Sequence, residues 1–206
     1  MRLVLAFALV LAIASPAFAA DAVVGDPYPL DKCPLSGKAL SADSPSAVKD
    51  GREFKFCCND CKGKLETDAA SVISKADTAI IEKEKAAYPL DTCIMSGEKL
   101  DDKSVDAVIN NRYVKFCCAD CVDSFKKGVA VNMKKLDAAV IEKQKAAYTA
   151  KKCPVSGEEL GSMGDPLNVV IANQMVSLCC KGCEKKLRAE PAKYVAMVSA
   201  PAEKKQ

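Results

Sequence analysis

Hydrophobic and polar residues alternate with a period of two in three short stretches of the chain. In the first, Phe54 and Phe56 alternate with charged residues directly after Asp50-Gly51. Asp-Gly is a strong signal for a two-residue hairpin turn, and this alternation is typical of a strand with one buried face. The pattern returns at 108–116 and 169–178. We therefore predict three β-hairpins.

Each predicted hairpin is followed by helical sequence. Leu65, Phe125 and Leu187 each lie four residues after a cysteine, a spacing that places both side chains on one helix face. Further along, 79–88 and 139–148 are near copies of each other, rich in good helix formers. We expect these segments to be helices that link one unit to the next. Their many charges favour a solvated spacer over a packed contact.

The chain repeats itself with a period of 60 residues. A block that begins at Tyr28 returns at Tyr88 and, with more changes, at Tyr148. The third copy carries two extra residues near Gly161 to Gly164. The repeat divides the chain into three modules, with boundaries at 28–87, 88–147 and 148–206. Each module reads as a cysteine-containing turn, a hairpin and a helix.

All 12 cysteines belong to the repeat, four in each module. The spacing is C-x23-C-C-x2-C in the first two modules and C-x25-C-C-x2-C in the third. The sets are Cys33, Cys57, Cys58 and Cys61; Cys93, Cys117, Cys118 and Cys121; and Cys153, Cys179, Cys180 and Cys183. The first cysteine of each set precedes a Ser-Gly turn that is typical of a zinc knuckle. Thiolates bind zinc or copper(I), so we predict one metal site per module.

These modules resemble the YHS and TRASH metal-binding domains, which are small relatives of the treble-clef zinc finger. The TRASH pattern is one cysteine, about twenty residues, and then C-x3-C; Cys33, Cys57 and Cys61 match it, as do their counterparts in the other modules. Phe56 before Cys57 and Leu65 after the block also fit the YHS pattern. The resemblance implies an α+β fold of three tandem treble-clef-like modules joined by helical linkers.

The resemblance also implies that the first, second and fourth cysteines of each set are the core ligands. Many treble-clef relatives carry another cysteine in the knuckle, where this chain has Ser36, Ser96 and Ser156. A neutral hydroxyl is a poor metal ligand, so the sequence does not identify the fourth ligand of each site. The third cysteine (Cys58 in the first set) could supply it, although adjacent cysteines rarely both bind one ion comfortably. Three thiolates without His suit copper(I) at least as well as zinc.

Two other uses of the cysteines compete with metal binding. Four per module is an even number, so a disulfide framework is possible in an exported chain, although a vicinal pair is awkward to bridge. The C-x-x-C pairs, such as Cys58 to Cys61, would be thioredoxin-like only after a strand of a larger βαβ unit. These modules are too short for that unit, so metal binding is favoured.

Residues 1–19 have the pattern of a secretory signal peptide: Arg2, an apolar run from Leu3 to Ala14, and Ala17-Phe18-Ala19. We expect cleavage to leave a chain that starts at Ala20 or Asp21. The apolar run is too short for a spanning helix, so no membrane insertion is expected after its removal. The predicted location is the periplasm or the extracellular medium.

Composition restricts the function further. Lys+Arg number 30 against 27 Asp+Glu, without the concentrated basic face that a nucleic-acid binder needs. The chain has no His for general base catalysis, and its carboxylates are scattered among lysines in the manner of a solvated helix face. We therefore predict a non-enzymatic protein that holds metal ions for buffering, delivery or resistance. The alternative is a set of metal- or disulfide-braced modules that bind a protein partner.

Overall fold

A computed structural model describes residues 25–199, and the predicted signal peptide at 1–19 lies outside this range. The predicted α+β class is confirmed: three hairpin-then-helix units follow one another. The strands are β1 Ser46–Lys49, β2 Arg52–Lys55, β3 Val105–Ile109, β4 Arg112–Phe116, β5 Leu167–Ile171 and β6 Gln174–Leu178. The helices are α1 Asn59–Thr67, α2 Ala69–Glu84, α3 Ala119–Lys126, α4 Val129–Lys145, α5 Lys181–Ala189 and α6 Pro191–Ser199. No helix within residues 25–199 is both long and apolar enough to cross a bilayer.

The three hairpins form three separate two-stranded antiparallel sheets. Both central residues of each turn have positive φ, which is the conformation of the type I′ turn that suits the twist of paired strands. Gly51 adopts φ 74° in the first turn, and Asn111 and Asn173 adopt 67° and 60° in the others. The predicted hairpins and their turn positions are therefore confirmed.

The hairpin strand and the helix after it build a small core in each module. Phe56 and Leu65 are buried in the first module, and Leu178 and Leu187 are their counterparts in the third. In the second module the rings of Phe116 and Phe125 meet edge to face, with centroids 5.4 Å apart. The helix-face prediction from the cysteine spacing is thus confirmed.

The linker helices are packed, so the expectation of solvated spacers is wrong. Along α2, Val72, Ala76 and Ile80 are buried at every fourth position, and Glu84 continues the row. One stripe of the helix is therefore apolar although the helix as a whole is rich in charges. Helix α2 lies against β3 and β4 of the second module, and α4 lies against β5 and β6 of the third. Each linker thereby covers the hairpin of the next module.

Turn asparagines join successive modules by the same hydrogen bond. Asn111 Nδ2 donates to the backbone oxygen of Glu53 at 2.8 Å, and Asn173 Nδ2 donates to that of Tyr113 at 2.7 Å. Glu53 and Tyr113 occupy equivalent positions in β2 and β4. The first module has Gly51 at the equivalent turn position. In the second and third modules, a turn asparagine therefore makes the contact with the preceding module.

A buried ionic centre joins the segment before the first module to the second and third modules. The guanidinium of Arg112 donates to both carboxylate oxygens of Asp26, at 2.9 and 2.5 Å, and also contacts Asp137. It donates in addition to the backbone oxygen of Val170, and the backbone N–H of Ala172 donates to Asp26 at 2.8 Å. The segment before the first module, the second hairpin and the third hairpin therefore meet at this centre.

Candidate metal centres

The first cysteine of each set is held by a tight turn. Gly37 N–H donates to Cys33 O at 2.9 Å, while Cys33 N–H donates to Lys38 O at 2.8 Å. Gly37 has φ 70°, a conformation that favours glycine. The turns at Cys93 and Cys153 have the same hydrogen bonds and the same glycine conformation. The predicted knuckle geometry is therefore present in all three modules.

The other cysteines are positioned where the hairpin meets the helix. Cys57 follows β2, Cys58 is the N-cap residue of α1 in extended conformation, and Cys61 lies in the first helical turn. Buried Phe56 fixes the end of the strand in the core. The second and third modules repeat this order at α3 and α5. A strand end and a helix start thus bring the second and fourth cysteines of a set beside the first.

Three sulfur atoms converge in every module. The Sγ atoms of the first, second and fourth cysteines lie within 4.8 Å of one another. Within residues 25–199 the three groups are Cys33, Cys57 and Cys61; Cys93, Cys117 and Cys121; and Cys153, Cys179 and Cys183. The separation of the second and fourth sulfur atoms is 3.9, 3.6 and 3.7 Å in turn. All 12 cysteines, which lie within these residues, are free thiols.

These separations fit a metal ion. Zinc–thiolate bonds are about 2.3 Å long, so two sulfur ligands of a tetrahedral ion lie about 3.8 Å apart. The second and fourth cysteines already stand at this separation. Thiolates are the ligands that zinc and copper(I) prefer, and no carboxylate within residues 25–199 joins these groups. Each group could therefore hold a metal ion.

The third cysteines lie at the edge of the sites. Cys58 and Cys118 are exposed, and Cys180 is half-buried. Each is nevertheless close to the second cysteine of its set, with Sγ–Sγ distances of 3.8, 3.8 and 3.9 Å. None belongs to the group of three that contains the first cysteine of its set. They are thus neighbours of the sites rather than members of the converging groups.

The protonation of the thiols differs with position. Burial opposes ionisation of Cys33, but hydrogen bonds from the Ser36 side chain and from backbone N–H groups outweigh it and lower the pKa to about 6. Cys153 behaves in the same way, with a pKa of about 6. Burial and the neighbouring sulfur atoms raise the pKa of Cys61 to about 12. Cys33 and Cys153 therefore lose their protons more readily than an ordinary thiol, and Cys61 loses its proton less readily.

The knuckle serines have a role that the sequence did not reveal. Ser36 Oγ lies 3.2 Å from Cys57 Sγ, and Ser96 and Ser156 lie 3.3 and 3.2 Å from Cys117 and Cys179. Either atom of each pair can be the donor, and a hydroxyl that donates to a metal-bound thiolate would stabilise its charge. The serine was notable in the sequence only as a missing cysteine. Its threefold recurrence in Cys-x-x-Ser-Gly was the signal that could have indicated this contact.

Comparisons with protein-family models, with curated proteins and with solved structures find no match to this chain. The resemblance to YHS and TRASH domains therefore rests on the residue pattern of the repeats alone. What the structure does support is a coarser statement. The chain carries three tandem cysteine-rich modules, each with a sulfur group that could hold a metal ion, a β-hairpin and a helix.

Proposed function

We propose that this chain is an exported, non-catalytic protein that binds one zinc or copper(I) ion in each of its three modules. The observation that carries the proposal is the convergence of three cysteine sulfur atoms in every module. Because the chain contains no His, the ligands are thiolates, which favour soft or borderline ions. Three sites on one small chain suit buffering, delivery or resistance.

The decisive experiment is elemental analysis of the purified chain together with a count of reactive thiols. We expect three ions per chain and protection of at least nine thiols. The variant Cys33→Ser should bind two ions, because it removes a ligand from one site only. Ser124→Ala on the exposed face of α3 is the control and should bind three. A wild-type chain that binds no ion with all thiols reactive would contradict the proposal.

Export is supported by the pattern of residues 1–19 and has a separate test. We expect protein recovered outside the cytoplasm to have an intact mass that corresponds to a start at Ala20 or Asp21. Recovery of exported protein that still carries Met1 would contradict cleavage. This result would leave the metal sites unaffected, because they lie in other parts of the chain.

A structural role for the metal is the second candidate, and one observation favours it. Cys33 is buried in the same apolar cluster as Tyr28, Phe54 and Phe56, so a site ligand is also part of the core. In this case the ion would brace modules that bind a protein partner. Competition with a chelator distinguishes the two functions: a carrier releases its ions while it remains folded, whereas a braced module loses its circular dichroism signal as the ion leaves.

A further inference from the structure

The third cysteine of the third module belongs to a second triangle of sulfur atoms. Cys180 Sγ lies 3.9 Å from Cys179 Sγ and 3.9 Å from Cys183 Sγ, and the latter two lie 3.7 Å apart. All three sides match the separation of about 3.8 Å for two thiolates on one zinc ion. Cys179, Cys180 and Cys183 form what we call the outer triangle, and Cys153, Cys179 and Cys183 form the inner triangle.

The two triangles share one side and differ in burial. Cys179 and Cys183 belong to both, while Cys153 is buried and Cys180 is more exposed than its partners. An ion could therefore move between the triangles by exchanging one thiolate while two others hold it. In the first and second modules, the exposed Cys58 and Cys118 lie beside Cys57 and Cys117, with Sγ–Sγ distances of 3.8 Å, so one side of the corresponding triangle is present there.

We propose that metal ions enter and leave the third module through the outer triangle, with Cys180 as the transfer ligand and the inner triangle as the holding site, and that Cys58 and Cys118 are the transfer ligands of the other two modules. This inference rests on the proposed metal-binding function. It assigns a role to the third cysteines, the exposed Cys58 and Cys118 and the half-buried Cys180, that differs from that of the buried thiols Cys33, Cys93 and Cys153.

The transfer is a sequence of ligand exchanges without a change of oxidation state. A thiolate of the third cysteine forms a bond to an ion held by a small thiol donor, and one donor–metal bond breaks. The second and fourth cysteines displace the remaining donor thiolates. The first cysteine then replaces the third. Each cysteine that binds releases its proton to water, and each displaced thiolate takes one up.

The test compares two triple variants of the full chain. The outer variant carries Cys58→Ser, Cys118→Ser and Cys180→Ser, and the inner variant carries Cys33→Ser, Cys93→Ser and Cys153→Ser. Zinc is the probe, and glutathione is the thiol donor. Three quantities are measured: zinc per chain, equilibrium affinity by chelator competition, and the rate of zinc loss to excess chelator. Circular dichroism verifies that each variant is folded.

We expect the outer variant to bind three zinc ions with little change in affinity but to exchange them at least about tenfold more slowly, equivalent to about 1.4 kcal/mol in the barrier. The inner variant should lose affinity while its remaining zinc exchanges at least as fast as in the wild type. If the inner variant does not fold, the exchange rate of the outer variant alone still tests the inference. Its substitutions are at the edge of the sites, so we expect this variant to fold.

Two results would overturn the inference while leaving the proposed function intact. Unchanged exchange rates in the outer variant would show that the third cysteine has no transfer role. A large loss of affinity in that variant would show that all four cysteines hold the ion together. If wild-type chain binds neither zinc nor copper(I), the proposed function fails, and this inference fails with it.

Discussion

Glu84 and Gln144 occupy equivalent positions in α2 and α4 and make the same hydrogen bond to the hairpin of the following module. Glu84 Oε2 accepts from the backbone N–H of Tyr113 at 3.2 Å, and Gln144 Oε1 accepts from that of Met175 at 2.6 Å. The Gln144 amide also donates to a turn carbonyl, whereas Glu84 Oε1 is buried with no partner within the described residues. A proton on Glu84 Oε1 would make it a donor like the Gln144 amide.

This pair predicts that the stability of the fold depends on pH through Glu84. Burial and nearby Asp26 raise its pKa from 4.5 to about 8, against the opposing effects of Tyr113 N–H, Arg112 and Lys83. Between pH 4.5 and about pH 8, Glu84 keeps its proton in the folded chain but has lost it in the unfolded chain. The free energy of unfolding contributed by Glu84 is therefore full below pH 4.5 and is lost as pH rises through about 8.

Glu84→Gln should flatten this pH dependence and stabilise the chain at pH 9, because it reproduces the Gln144 contact without a titrating group. Gln144→Glu is the matched variant and should add a second loss of stability with rising pH. Urea unfolding of the reduced, metal-free chain at pH 5, 7 and 9 measures both effects. Identical pH profiles for wild type and Glu84→Gln would show that Glu84 is ionised in the folded chain.

The ionic centre predicts a large cost for removing Asp26. The side chains of Asp26 and Arg112 are only 3% and 4% exposed, so Asp26→Ala leaves part of a buried cation unpaired. Such a change costs about 3 to 5 kcal/mol. Asp91→Ala is the control because its ion pair with Lys143 is on the surface, and it should cost less than about 1 kcal/mol. Equal midpoints of urea unfolding for the two variants would refute a stabilising role for the centre.

The knuckle serine predicts an effect on metal affinity without loss of the site. Ser96→Ala removes the hydroxyl 3.3 Å from Cys117 Sγ and retains all four cysteines of the second module. Loss of a hydrogen bond to a metal ligand lowers affinity by about 10- to 100-fold. The chain should still bind three ions, with one bound more weakly in chelator competition. Ser124→Ala should match wild type, and an equal effect of the two changes would exclude the serine–thiolate contact as the cause.

Burial predicts that the third module keeps its ion longest. All three sulfur ligands of its inner triangle are buried, whereas two of the three are half-exposed in each other module. The variant with Cys33→Ser and Cys93→Ser retains only the third site, and that with Cys93→Ser and Cys153→Ser retains only the first. Stopped-flow mixing with a chelator should give slower release of the metal ion from the variant that retains the third site. Faster release from the third site would mean that solvent access does not control exchange.

The sequence was sufficient for the local structure of each module. Asp50-Gly51 and its counterparts specify hairpin turns directly, and the knuckle glycine follows from a turn that needs positive φ. The grouping of Cys33 with Cys61 was predicted from the resemblance of the cysteine pattern to TRASH domains. These features depend on neighbours within one repeat, and the sequence presents them three times.

Contacts between repeats were not predictable in the same way. Arg112 and Asp26 are 86 positions apart, and a period in sequence does not give the rotation that relates one module to the next. Glu84 lies in Glu-Lys-Glu-Lys, a pattern typical of a solvated face, so the sequence did not indicate that this side chain is buried. Only the apolar stripe of Val72, Ala76 and Ile80 indicates that one side of this helix is covered.

The hydrogen bond between Asp26 and Ala172 has a consequence for the order in which the protein can be completed. The two residues are separated by 146 positions, so Asp26 leaves the ribosome long before its partner exists. Domains usually fold from the N-terminus during synthesis, but the Asp26 contact cannot form until the third hairpin has been synthesised. The nascent chain therefore has an interval in which the cysteines of the first two modules are already synthesised while the Asp26–Ala172 hydrogen bond cannot form. During that interval, the thiols of the first two modules are accessible to metal ions and oxidants.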